Sequence, residues 1–391
     1  MVAVANVRTL SVRRWCVIVA MVAGVLSTAM FVRRVEASPP ASETTGQAIA
    51  VFTPPRTKAE ALIDGMDGEA YAQIASDPLI THPADDFLGD RVSAAYRFSR
   101  PAFGWVDWVA SLGGDRDRLA TGVVVASLLS IAGLALLTAR FAARTGRHPL
   151  AGAAVLGVVG VGITALDPGG CEPFGCAFTL LGLHWWLDGR RGRAVAALTV
   201  AALTRETLLL VPLAIALSTL VTQRTLRGMA PLAIPAVAYG AWSTVVRIRV
   251  GVWPAAYPNH LATPWHGLVP AMRFWGSLEW VAVVSSALLL TLAWLRLRDP
   301  VFRTIIVVHV LFAAVMSEEV WAAWTGFSRV WIPAAILGVV AAAPRWRAAT
   351  DTQLEAGAST SSSGRTLSAN SCRLSHAMAG SMPPTSGRNL R

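Results

Sequence analysis

Asp67 stands at a position where an acid is costly. Leu62, Ile63, Met66, Ala70 and Ile74 draw an apolar stripe along a helix expected to begin at Lys58. Asp67 lies four residues after Ile63 and four before Tyr71, so it borders that stripe, whereas Asp64 is rotated toward the polar side. A carboxylate at an apolar boundary is expected to have a raised pKa, which suits a general base. A solvated acid on a surface helix would show the same spacing. Gly65 and Gly68 weaken the helix by ~1 kcal/mol each, and they let another backbone or a substrate approach closely.

Further ionisable residues fall where apolar runs begin or end. Arg205 and Glu206 interrupt one such run, Glu318 and Glu319 close another, and Arg329 opens the last. Such groups near bilayer depth are expensive unless paired or facing water, so each is a functional candidate; helix-end anchoring and local ion pairs are the alternative. Upstream, Val92, Tyr96, Ser99, Phe103, Val106 and Ala110 are expected to share one amphipathic face, with Trp105 and Trp108 at the membrane interface. Pro101 is expected to start a new helical segment after a bend. Arg97 and Arg100 precede it, and would either snorkel to lipid phosphates or grip a substrate phosphate. Guanidiniums and carboxylates gathered on one side suit sugar-phosphate chemistry, the acids binding hydroxyls and the arginines binding phosphate.

The elements that must position these residues are apolar. Of 391 residues, 54% are hydrophobic and 15% charged, against about 25% charged in soluble domains. Ten stretches read as membrane spans: 15–32, 119–139, 150–166, 173–188, 194–204, 207–222, 229–248, 278–295, 302–317 and 330–344. The fifth is too short to cross alone and is expected to tilt or break around Thr204-Arg205-Glu206. The expected fold is all-α and polytopic, with a long first outer loop (33–118) carrying amphipathic helices.

Arginines set the orientation. They fill the turns at Arg140, Arg144 and Arg147; at Arg190, Arg191 and Arg193; at Arg224 and Arg227; and at Arg296, Arg298 and Arg303. The N-terminal residues 1–14 and the segment after the last span, with Arg345 and Arg347, agree with them. The positive-inside rule makes these cytoplasmic and both termini internal. The 33–118 loop, the Asp167–Glu172 turn, Arg205-Glu206, the Trp- and Pro-rich stretch near 250–275 and Ser317–Arg329 then lie outside.

The net charge of +11 is dispersed over these turns, whereas nucleic-acid binding needs one continuous basic face; membrane lipids are the expected partners instead. Residues 37–57 form a linker. The N-terminal apolar run with small residues near Ala37 resembles a secretory signal, and nine later spans favour an uncleaved anchor. Cys171 and Cys176 bracket a short loop and would form a small disulfide in an oxidising space, or remain free thiols. No metal-ligand spacing and no nucleotide-binding glycine loop appear, although an assisting divalent cation is left open. The tail 349–391, rich in Ser, Thr, Gly and Asn, is expected to be disordered.

Four short motifs resemble GT-C-type glycosyltransferases, polytopic enzymes that use polyprenyl-phosphate sugars. Ile63-Asp64-Gly65-Met66-Asp67-Gly68-Glu69-Ala70-Tyr71-Ala72-Gln73-Ile74-Ala75 is similar to the family's Asp-Gly-x-x-Tyr-x-x-Ile-Ala element after the first span. Ala95-Tyr96-Arg97-Phe98-Ser99-Arg100-Pro101 resembles its Tyr-Arg-x-x-Arg stretch, and Leu203-Thr204-Arg205-Glu206 its Leu-Thr-Arg-Glu segment. Ser328-Arg329-Val330 with Pro333 is similar to its late Ser-Arg-x-x-x-Pro. The order and topology cover roughly residues 15–345.

The resemblance implies inverting sugar transfer at the outer membrane face, from a lipid-linked donor to a glycan, lipid or protein. In that scheme Asp67 orients or deprotonates the acceptor hydroxyl; Asp64 is the other candidate acid, but Asp67 has Tyr71 and Ile74 at the matching distances. Arg205, Arg329 and Arg97 or Arg100 would stabilise the departing phosphate, with Tyr71, Glu206 and Glu318 in the substrate-binding set. A flippase of a lipid-linked intermediate and a non-catalytic envelope scaffold are the competing classes.

Overall fold

The computed structural model describes residues 2–38, 57–63, 67–82, 90–224, 228–257 and 260–346. The expected disordered tail, most of the linker, Asp64 and Cys372 lie outside these. Contacts group Met1–Trp346 as one compact unit. Among the described residues every regular element is helical and there is no strand beyond two isolated bridges.

Each of the ten apolar stretches coincides with helix. The chain opens with α1 (Val2–Ala37), followed by α2 (Lys58–Ile63), α3 (Asp67–Ser76), α4 (Arg91–Phe98) and α5 (Pro101–Ala110). There follow α6 (Leu119–Arg144), the short α7 (Ala151–Ala154) and α8 (Val159–Leu166), α9 (Glu172–Leu187) and α10 (Arg191–Thr204). Next come α11 (Leu210–Gln223), α12 (Ile234–Val250), a single turn α13 (Leu268–Ala271) and α14 (Ser277–Arg296). The last are α15 (Pro300–Ala314), α16 (Glu318–Ala322) and α17 (Trp324–Ala342). Four helical segments, Ser11–Ala37, Leu119–Arg144, Ser277–Arg296 and Trp324–Ala342, are long and apolar enough to cross a membrane.

The stretch 150–166 is not one helix but α7 and α8, joined by a 3-10 turn over Val155–Gly157. The expected break at 204–206 is present. Arg205 is extended between α10 and the 3-10 turn Glu206–Leu209, which runs into α11.

The main core packs α6, α8, α9, α10, α11, α14, α15 and α17 together. Helices approach closely where a residue has no side chain: Gly338 of α17 lies against the Leu289 backbone of α14. A second core gathers Tyr71, Ile74, Phe98, Phe103, Cys171, Val246 and Val250, fastening α3, α4 and α5 to α12 and to the start of α9. Phe98 and Phe103 are fully buried there, each contributing roughly 1.5–3 kcal/mol by burial. Trp242 donates to the Phe98 carbonyl (2.7 Å) and Trp105 to that of Pro78 (3.2 Å), so α4 and α5 are docked, not loose.

Two details of the segment between α1 and α6 differ from expectation. The face from Val92 to Ala110 is not continuous. Pro101 does start α5, but the bend before it resets the helical phase, so Ala94, Ala95 and Phe98 are buried while Ala110 is exposed. Asp107 is buried against α6, where Gly122 leaves it room, with neither carboxylate oxygen hydrogen-bonded. Burial pushes its carboxyl up to about 8, so it is neutral at pH 7.

Candidate active site

Asp67 is the first residue of α3, where the helix N-terminus favours negative charge. Gly68 behind it lets α3 press on the turn between α8 and α9: a Cβ there would meet the Pro168 carbonyl oxygen at 3.0 Å and Gly169 Cα at 3.1 Å. The carboxylate is thereby carried to Arg329 of α17, with which it forms a direct ion pair, and to Arg97 at the end of α4 (3.9 Å).

Glu172 joins the arginines. It is the first residue of α9, its side chain is only 3% exposed, and it pairs with Arg205 and, at 3.4 Å, with Arg329. Arg205 itself caps the C-terminal end of α10, the end that favours a cation. A neighbouring pair completes the cluster. Pro101 keeps Arg100 out of helical geometry (φ −117°, ψ 63°), and its guanidinium donates twice to Glu206, at 2.6 and 2.8 Å. Arg100 also bonds the Tyr96 hydroxyl and lies 4.1 Å from the centre of that ring; Tyr96 in turn stacks on Tyr257 at 4.3 Å.

Three carboxylates therefore face four guanidiniums drawn from four helices, the bend before α5 and the break after α10. The Asp67 side chain remains one-third exposed and that of Glu206 30% exposed, so the cluster is open to a ligand. The cationic excess suits an added phosphate. Among the described residues, no three His, Cys, Asp or Glu side chains come together to hold a metal.

The protonation state of Asp67 reverses the expectation. Burial alone would raise its pKa, as the apolar stripe suggests, but the guanidiniums of Arg329, Arg205, Arg100 and Arg97 outweigh it and hold the carboxyl at about 2. Ion pairing prevails because four guanidiniums act on one partly buried carboxylate, and their summed attraction exceeds its desolvation.

Of the other expected site residues, Arg97, Arg100, Arg205, Glu206 and Arg329 are brought together. Tyr71 is buried, and its hydroxyl donates to Cys171 Sγ (2.8 Å). It thus ties α3 to the residue before Glu172, a positioning contact in place of the expected substrate contact. Glu318 does not join the cluster; it is exposed and pairs with Arg273 at 2.8 Å. Cys171 and Cys176 are both free and buried in different cores, so the candidate disulfide is not formed. Burial, reinforced by Glu172, pushes the Cys171 thiol up to about 12, making it unreactive.

Glu172 escaped the sequence reading as a site residue. The signal was available: an acid followed by Pro173 at the start of an apolar run, the same kind of boundary charge that marked Arg205 and Glu206. No family profile, curated protein or solved structure matches the chain.

Proposed function

We propose that the chain is a ten-span enzyme of the plasma membrane, both termini in the cytoplasm. It transfers a sugar from a polyprenyl phosphate to an acceptor hydroxyl on the outer face. The observation that carries this reading is the convergence of Asp67 with Arg97, Arg205 and Arg329, through Glu172, from widely separated parts of the sequence.

The ion pairs support the topology. Arg34–Asp167, Arg100–Glu206, Arg205–Glu172, Arg273–Glu318 and Arg329–Asp67 each join two groups that the arginine count puts outside, and Arg144–Asp188 joins two it puts inside.

The chemistry follows from the charges. The donor phosphate draws Arg329 and Arg205 toward itself, which weakens their hold on Asp67 and raises the basicity of that carboxylate once the donor is bound. Asp67 then takes the acceptor hydroxyl proton while the acceptor oxygen bonds to the anomeric carbon from the opposite face. The carbon–oxygen bond to phosphate breaks, and polyprenyl phosphate leaves with the electron pair, neutralised by the arginines. A positioned base contributes roughly 10²–10⁴-fold, and preorganised cations at the departing charge add to it.

Membranes containing the chain, supplied with radiolabelled polyprenyl-phosphate sugars, are expected to pass label to an endogenous lipid, glycan or protein with release of polyprenyl phosphate. Donor crossing the bilayer intact, with no chemical transfer, would instead establish the flippase.

A further inference from the structure

A groove runs between α14 and α15. It is lined by Leu290, Thr291 and Trp294 of α14 and by Ile306, Val307 and Leu311 of α15, with a volume of about 340 Å³. That is within the usual range for a small-molecule pocket. Its walls are apolar, and Leu311 is 63% exposed.

At its end toward Pro300 the groove meets a cation. Arg303 stands three and four residues before Ile306 and Val307, on the same face of α15. Its guanidinium lies over the Trp294 indole, 5.1 Å from the ring centre, and its Nε is buried with no acceptor. The closest acid in sequence, Asp299, uses its carboxylate on the Val301 amide (2.8 Å). Arg296 reaches the other way, to the Ala341 carbonyl.

We propose that this groove binds one anionic phospholipid, with an acyl chain along the apolar walls and the phosphate on Arg303. Charge complementarity selects the occupant. A guanidinium lacking an acceptor matches a phosphate with directed hydrogen bonds. An indole beneath it suits the depth at which head group meets hydrocarbon. Arg303 also belongs to the set of arginine-rich turns, where the adjoining leaflet carries anionic head groups. A zwitterionic lipid would offer the same chains but place a positive group beside Arg303.

Full-length protein in neutral detergent, examined by native mass spectrometry with phosphatidylglycerol and phosphatidylcholine of identical chains, tests this. One phosphatidylglycerol per chain is expected, retained about tenfold better than phosphatidylcholine. Arg303→Gln should bring the two lipids level, and Val307→Trp, which fills the groove, should lose both. Inorganic phosphate should displace neither. Equal retention by the unaltered chain, retention undiminished in the variants, or displacement by phosphate alone would overturn the proposal.

Discussion

Asp67→Asn lowers sugar transfer by about 10²–10⁴-fold without unfolding the chain, because the amide keeps the shape of the carboxyl and still accepts a hydrogen bond from Arg329. The pH profile adds a second readout. In the free protein Asp67 is held at about 2, so kcat/KM shows no acid limb from this group across pH 4–7. In the donor complex the phosphate draws the guanidiniums away and the carboxyl rises, so an acid limb enters kcat at higher pH than in kcat/KM. The stability side has a definite sign. A depressed folded-state pKa stabilises the fold above the ordinary carboxylate value of 3.8, and that contribution is lost as pH falls through about 2. Transfer in Asp67→Asn within threefold of the unaltered chain would remove Asp67 as the base.

Glu172→Gln destabilises the fold by about 3–5 kcal/mol. Its side chain is almost wholly buried and is the shared partner of Arg205 and Arg329; removing its charge leaves two guanidiniums facing each other out of water. Adding Arg329→Gln to Glu172→Gln should cost less than the sum of the two single changes, since the second removes the repulsion the first exposes. Chemical unfolding of the detergent-solubilised protein measures both. Strict additivity would mean that Glu172 does not bridge the pair.

Much of this architecture is legible in the sequence. Hydrophobic runs located the helices because period and length are local properties, and the Thr204–Glu206 break was visible as charge inside an apolar sequence. Local pattern failed where the outcome depended on residues far away. The apolar stripe beside Asp67 argued for a raised pKa, yet its strongest partner, Arg329, is 262 residues distant in sequence. Glu318 borders an apolar run in the sequence just as Arg329 does, but Arg273 is nearer and the two pair at the surface. Tyr71 carries the spacing of a site residue and is instead spent on Cys171. The face from Val92 to Ala110 failed for a local reason, a proline that restarts the helical phase.

All of the proposed chemistry requires the cluster to face outward, and the most direct test is the side of the membrane on which the Asp67 loop lies. Leu79, three residues beyond α3 and 63% exposed, can be replaced by Cys, with Cys372 changed to Ser; the other three cysteines are buried. A membrane-impermeant maleimide should label Leu79→Cys in intact spheroplasts as fully as in permeabilised ones. Labelling only after permeabilisation would place Asp67 and its arginines inside and contradict the account.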